Sequence, residues 1–231
     1  MSAGGAIWIT RARPGAEATA RRVEALGFTA LVDPLLEIDF LSPAIDLTGI
    51  AALAFTSANG VEAFARLTAA RDLPVFAVGE TTARAAQAVG FVEPLNADGD
   101  VEALAALIAR TLPGPVLCVG ALQPAADLPA LLDSEGISTR ALAVYAARDQ
   151  APEPETLARL AGFDAVLLHS PRAARGLAAV LEQAPAPALR VLCLSRAVAD
   201  PLTAPLREAR IGSVAFASRP RESALLDLLQ R

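Results

Sequence analysis

The sequence predicts an α/β protein made of two similar lobes, each a parallel sheet of about five strands flanked by helices. Three observations lead there. Short apolar runs alternate with helical segments almost throughout, many runs are apolar at every position, and the series of elements restarts near position 116. Strands that are apolar on both faces belong to parallel sheets covered by helices. Ten strands are many for one such sheet, so two sheets of about five suit a chain of 231 residues.

Apolar runs place strands at Ile7–Thr10, Thr29–Val32, Ala52–Phe55 and Val75–Val78, with a short strand near Phe91–Glu93. Further runs give Val116–Val119, Thr139–Val144, Ala165–Leu168, Val191–Leu194 and Ser213–Phe216. Helical periodicity fills the gaps at Glu17–Leu26, Val61–Leu67, Thr81–Val89 and Val101–Ala109. It returns at Ala126–Leu132, Glu155–Leu160, Ala173–Leu181, Ala197–Leu206 and Glu222–Leu229. Gly27 and Gly136 each lie 20 positions after the start of a strand, at Ile7 and Val116, and each ends a helix. "FTSANGVEAF" pairs with "LHSPRAARGL", and "VFAVGETTARAAQAVG" more loosely with "VLCLSRAVADPLTAPL". Ile7 to about Arg110 and Val116 to about Leu229 therefore read as two diverged copies of one unit. Leu35–Asp39 and Val144–Asp149 lie between units and suit strands that cross between lobes, which would leave one lobe discontinuous. The segment "DQAPEPETLARL" has the Pro-rich, acidic character of a linker running into a helix.

Composition excludes several classes of chemistry. All 20 basic residues are arginine, so there is neither a Schiff-base lysine nor a P-loop lysine. The single histidine, His169, and two cysteines 75 positions apart make a His/Cys zinc site improbable, and no other metal cluster is visible. No G-x-G-x-x-G follows a strand. A net charge of −5 with 4% aromatic residues disfavours a nucleic-acid surface. No apolar run reaches the length of a membrane span, and no secretory signal precedes Ile7, so a cytoplasmic protein is expected, with Cys118 and Cys193 as buried free thiols.

Open parallel sheets bind ligands beyond the carboxyl ends of their strands, where helix N-termini present unpaired N–H groups. Five corners of this kind read "TRARPG" (Thr10–Gly15), "TSANG" (Thr56–Gly60), "VGETT" (Val78–Thr82), "HSPRA" (His169–Ala173) and "LSRAV" (Leu194–Val198). They hold hydroxyls, small residues and Arg11, Arg13, Arg172 and Arg196, a set suited to a polyanionic small molecule despite the net charge. Ser, Thr and Asn also cap helices at such places, so any one corner has a purely structural reading. Five together make a binding role as credible.

"ITRARPG…RVEALGF", "AFTSANGVEAF", "VFAVGETTARAAQAVGF", "ALAVYAAR" and "LLHSPRAARGL" together resemble uroporphyrinogen-III synthase over nearly the whole chain. The resemblance implies a discontinuous first lobe, 1–35 with 153–231, and a second lobe, 39–144. The linker strands would be 36–38 and 145–152, with the active cleft between the lobes. It implies closure of hydroxymethylbilane to uroporphyrinogen III with loss of water and inversion of ring D through a spiro intermediate, without cofactor or metal. The substrate, a linear tetrapyrrole, carries eight carboxylates. Its hydroxyl leaves easily and unguided closure gives the wrong isomer, so the enzyme's task is positioning and electrostatics.

By the same resemblance Tyr145 is the candidate catalytic residue, donating a proton to the departing hydroxyl or a hydrogen bond to the substrate. A packed aromatic with a satisfied hydroxyl is its structural reading. Thr56, Ser57, Thr82 and Ser170 match the family's cleft residues, and Arg11 its "TR" after the first strand. Arg172 and Arg196 are further candidate contacts. The expected partners are the tetrapyrrole and hydroxymethylbilane synthase, with the chain a monomer that binds no nucleic acid or membrane. Two departures stand out. Ser195 and Val198 replace the Gly and Thr kept in the first copy as Gly79 and Thr82, and "VGALQ" lacks the Arg-Gly pair frequent in the family. A non-catalytic two-lobe module that binds an anionic tetrapyrrole is the alternative these departures leave open. A hinged solute receptor is disfavoured by the missing signal segment.

Overall fold

The computed structural model describes residues 4–111 and 114–230. The first half of the chain forms β1 (Ala6–Ile9), α1 (Gly15–Ala25), β2 (Thr29–Val32), β3 (Leu36–Phe40), β4 (Ala52–Phe55), α2 (Ala58–Leu67), β5 (Val75–Ala77), α3 (Glu80–Ala88), β6 (Leu95–Asn96) and α4 (Val101–Thr111). It continues as β7 (Val116–Ala121), α5 (Leu128–Ser134), β8 (Thr139–Asp149), α6 (Pro154–Ala158), β9 (Phe163–Leu168), α7 (Pro171–Gln183) and β10 (Ala186–Cys193). The chain closes with α8 (Arg196–Ala199), α9 (Thr203–Arg207), β11 (Ile211–Phe216) and α10 (Glu222–Leu226), and 3₁₀ turns follow α6, α8 and α10.

The first sheet has the order β11-β10-β9-β1-β2 and the second β3-β8-β7-β4-β5-β6. β1 pairs in parallel with β2 and β9, β10 with β9 and β11, β4 with β5 and β7, β5 with β6, and β7 with β8. At the edge, Leu41 N–H donates to Val144 O and Gln150 N–H to Leu35 O, so β3 runs antiparallel to β8. Two compact units result. One comprises the chain up to Glu37 together with the chain from Arg148, and the other is Ile38–Ala147.

The two sheet orders are one order. If β1, β2, β4, β5 and β6 of the first copy correspond to β7, β8, β9, β10 and β11 of the second, then β11-β10-β9-β1-β2 maps onto β6-β5-β4-β7-β8. With the linker strand β3 set aside, each sheet thus takes two strands from one copy and three from the other. The corners correspond as well. Gly27 (φ +89°) and Gly136 (φ +76°) both end helices in the left-handed region. Behind them Phe28 N–H donates to Val23 O, and Ile137 N–H to Leu132 O, the 6→1 bond of a Schellman turn.

Fully apolar strands are explained by burial on both faces. Trp8, Val166 and Val191 enter one cluster, and their neighbours Ile7, Ile9, Leu167 and Leu192 the opposite one. In the second sheet Leu53, Phe55, Leu117 and Val119 face one side and Ala52, Ala54, Val116 and Cys118 the other. Gly60, in the first turn of α2, packs close to β7: a Cβ there would lie 3.3 Å from Val119 O, tighter than an ordinary contact.

Several sequence expectations shift. The strand expected near Phe91–Glu93 forms instead at Leu95–Asn96. Phe91 follows Gly90 (φ +102°) into the core and Glu93 is itself left-handed (φ +44°), which interrupts extended backbone. The helix expected at Ala197–Leu206 is three short pieces, because Pro201 and Pro205 supply no N–H donor. Thr139–Val144 and Val144–Asp149 are one continuous strand of 11 residues.

A Cβ on Gly27 or Gly136 would meet nothing within 4 Å, so replacing either tests backbone strain alone. Gly27→Ala and Gly136→Ala are each expected to lower unfolding free energy by roughly 1–2 kcal/mol, and by similar amounts. Urea denaturation checks this; an unchanged midpoint for either variant would refute the strain assignment.

Candidate functional site

Because the pairings within each strand series are parallel, each sheet gathers its strand ends on one edge. The second sheet brings Thr56, Ser57, Thr82 and Tyr145 to its carboxyl edge, and the first brings Arg11, Ser170, Arg172 and Arg196 to its own.

On the second sheet, Ser57 is the N-cap of α2 in extended conformation, and its Oγ accepts from Gly60 N–H at 3.1 Å. The same Oγ lies 2.9 Å from the Tyr145 hydroxyl. Tyr145 belongs to β8 and Ser57 follows β4, with β7 between them in the sheet, so this bond reaches across β7. It is possible because β7 ends on the small residues Gly120 and Ala121. The register slips there: Gly120 pairs with Ala143 but Ala121 with Tyr145, leaving Val144 as an extra residue. This bulge puts the adjacent residues Val144 and Tyr145 into the same hydrophobic cluster, where a regular strand would send them to opposite faces. Tyr145 is 8% exposed. Burial raises its phenol pKa above the ordinary value, and the Ser57 hydrogen bond partly offsets this, so the phenol stays protonated.

Thr56 lies beside Gly120, whose ideal Cβ would sit 3.4 Å from the Thr56 Oγ1. Thr82 is the third residue of α3 behind the extended N-cap Gly79 and is 4% exposed. Val198 holds the same third position behind Ser195 in α8 and is buried in the first sheet's core. The Thr-to-Val departure therefore falls at an inward-packed position in both copies.

On the first sheet, Ser170 caps α7 as Ser57 caps α2, accepting from Ala173 N–H at 3.1 Å. The capping reading thus holds at both serine corners, and it leaves each hydroxyl proton uncommitted to the backbone. Arg172 grips Asp149 at the end of β8 through Nε (2.6 Å) and Nη2 (3.2 Å). This bidentate pairing lowers the Asp149 pKa and raises that of Arg172. Arg13 pairs with Glu17 one turn along α1, and Arg196 is exposed at the start of α8.

Arg11 enters a part-buried cluster that the sequence reading did not anticipate. Glu222, at the start of α10, accepts from Arg22 and from Thr19 Oγ1, and lies 3.4 Å from Arg11 Nη1. Its Oε1 is 3.9 Å from His169 Nε2. Neither ring nitrogen of His169 has a hydrogen-bond partner among the described residues. Burial first, and the Arg11 charge second, push the His169 pKa down to about 3. The histidine is therefore neutral at physiological pH. Glu222 carries little mark in the sequence, where hydroxyls and arginines define the corners. Its one signal was position, as the first carboxylate after the last strand.

The strand-end arginines expected to form a cationic surface are thus largely paired: Arg11 with Glu222, Arg13 with Glu17 and Arg172 with Asp149. Among the described residues, no group of three or more His, Cys, Asp or Glu is placed to hold a metal ion, and no helix is long and apolar enough to cross a membrane. Burial pushes the Cys118 and Cys193 thiols up to about 12, which leaves them without nucleophilic character at neutral pH.

A family model described as uroporphyrinogen-III synthase HemD matches residues 17–227. The fold is similar to the crystal structure of uroporphyrinogen-III synthetase from Helicobacter pylori 26695, with a TM-score of 0.67 and 20% identity over 98% of each chain. It is also similar to a mutant uroporphyrinogen III synthase from the extremely thermophilic bacterium Thermus thermophilus, with a TM-score of 0.56 and 20% identity over 98% of each chain. At this identity the two structures speak for the fold, and the family model speaks for the family. No curated protein gives a significant sequence match.

The His169 environment has a consequence for stability. The unfolded chain takes up a proton near the ordinary imidazole value, whereas the folded chain resists it down to about 3. Stability should therefore fall as pH drops below about 6.5, by up to ~1.4 kcal/mol per pH unit. Between pH 6.5 and 5, above the carboxylate range, His169→Leu should show a flatter profile than the parent in urea titrations. Parallel profiles would refute the assignment.

Proposed function

Because the chain belongs to the uroporphyrinogen-III synthase family, a family of enzymes in haem biosynthesis, we propose that it closes hydroxymethylbilane to uroporphyrinogen III as a hydro-lyase, with loss of water and inversion of ring D. The observation that carries this reading is the hydrogen bond between Tyr145 and Ser57 at the N-terminus of α2. Ser57 Oγ already accepts from Gly60 N–H. Its own proton is then best spent on the Tyr145 oxygen, which turns the phenolic proton outward to a ligand. A protonated phenol aimed in this way suits donation to the hydroxyl that departs from the bilane.

Binding falls to the helix ends. The first-turn N–H groups of α2, α3 and α7 with the hydroxyls of Thr56 and Ser170 suit side-chain carboxylates of the tetrapyrrole, while Ser57 serves through Tyr145. Arg11, Arg172 and Arg196 add donors at the first sheet's edge. Arg172 can serve only by sharing or leaving Asp149. Thr82, turned inward at the third position of α3, acts through the shape of that corner. The reading requires neither metal nor cofactor, because the bilane carries its own leaving group and nucleophilic carbon. Hydroxymethylbilane synthase is the partner that would supply the substrate to a monomeric, cytoplasmic enzyme.

The test is isomer analysis. Porphobilinogen is supplied with hydroxymethylbilane synthase and this protein, the products are oxidised and the isomers separated. Type III uroporphyrin is expected. Type I alone would overturn the synthase reading in favour of a module that binds a tetrapyrrole without turning it over. Tyr145→Phe should cut kcat by roughly tenfold or more while the buried ring keeps the fold. An unchanged kcat would reduce Tyr145 to a packed aromatic.

A further inference from the structure

We propose that Glu222 is a positioning residue that holds the Arg11 guanidinium by one edge so that its other edge can receive a substrate carboxylate; this rests on the reading of Arg11 as a substrate contact given above. Arg11 occupies a costly place. Its side chain is only 23% exposed, and it lies against the first residue of α1: a Cβ on Gly15 would sit 2.7 Å from Arg11 Nε and 2.8 Å from Nη2. Helix N-termini carry partial positive charge, so a cation there is unfavourable. Burial lowers the Arg11 pKa most, the Glu222 carboxylate raises it, and the nearby Arg22 lowers it again. Among the described residues, Glu222 is the carboxylate that pairs with Arg11.

The geometry divides the guanidinium in two. Nη1 makes both of the protein contacts, with Thr19 Oγ1 and with Glu222 Oε2, each at 3.4 Å. Nε and Nη2 lie over the bare α-carbon of Gly15, at the carboxyl edge of the first sheet. Carboxylates prefer two parallel N–H donors, and the Nε/Nη2 edge offers such a pair. Glu222 is itself well held: 10% exposed, it also accepts from Arg22 and Thr19. Arg11 and Arg22 against Glu222 leave the cluster one positive charge in excess, since His169 at 3.9 Å is neutral and adds none. A second carboxylate, brought by the ligand, would balance it.

Glu222→Gln tests this, since it keeps the shape and removes the charge. With hydroxymethylbilane, KM should rise about tenfold while kcat stays within about twofold, the cost of a loosened charged contact. Binding of uroporphyrin, an octacarboxylate followed by fluorescence, should weaken by a similar factor. In an Arg11→Gln background the same substitution should change neither quantity, because its effect passes through Arg11. An unchanged KM and affinity, or an equal loss in both backgrounds, would overturn the proposal in favour of a structural latch. Should Glu222→Gln not fold, Glu222→Asp decides by the same measurements: the shorter carboxylate withdraws from Arg11, so an unaltered KM and affinity would count against it. Uroporphyrin binding reads the Glu222–Arg11 link even if isomer analysis of the parent returns type I alone, so the two readings fail separately.

Discussion

The structure depends on two strand pairings, β1 with β9 and β4 with β7. Each joins the first strand of one sequence copy to the third strand of the other. Without them the chain would hold a two-stranded and a three-stranded fragment twice over, none with enough sheet to be stable alone. The polar contacts at the strand ends inherit this dependence. Ser57 comes from the first copy and Tyr145 from the second, 88 positions apart. Arg11 comes from the first and Glu222 from the second, 211 positions apart. Neither contact can form within one copy. The exchange that completes the two sheets is therefore also what assembles both clusters, and such non-local pairing makes for slow folding.

Charge at the strand ends is handled frugally. The chain uses arginine alone as its basic residue, and three of the four arginines at the corners considered are tied to carboxylates on their own unit. This restrains like-charge repulsion where helix N-termini already contribute positive potential. For the anionic ligand proposed above, the directional donors on offer are backbone N–H groups, the Ser170 hydroxyl and the Nε/Nη2 edge of Arg11. Donors of this kind orient a ligand as well as attract it. For a reaction whose difficulty lies in which carbon closes the ring, orientation matters more than depth of binding.

Much of the fold was legible in the residues. Apolar runs marked the strands because both faces of each sheet are buried, and Gly27 and Gly136 marked the helix ends because only glycine is at ease at their φ. The serine corners were legible as caps, since Ser57 and Ser170 each satisfy a first-turn N–H. The exchange between copies was legible only as crossing segments that leave one lobe discontinuous; which strands pair across copies was not, because similar strand series satisfy hydrophobic patterning whether they pair within a copy or across copies. Nor was the extra residue at Val144, as a bulge leaves no mark in an unbroken apolar stretch. Glu222 was invisible for a related reason: its partners lie about 200 positions away, and one exposed-looking glutamate at a helix start reads as ordinary helix chemistry.

The two copies kept their corners and changed what those corners carry. At the third helical position behind the extended cap, Thr82 and Val198 are both turned inward, so the exchange of hydroxyl for methyl alters little of the packed shape. One position from the cap, Glu80 in α3 faces Arg84 along its own helix, whereas Arg196 in α8 is exposed. At the first strand of each copy, Thr10-Arg11 is matched by Val119-Gly120, so where the first sheet has a guanidinium with its carboxylate the second has a bare glycine, part of the clearance through which Tyr145 reaches Ser57. A bulky side chain at Gly120 would crowd Thr56, and a Cβ at Gly15 would strike Arg11. Small residues thus stand in both sheets beside the polar group that each corner presents. Duplication supplied two equivalent scaffolds, and the divergence that followed left a serine cap on both edges but strand-end arginines on only one of the two, a difference that two identical copies would lack.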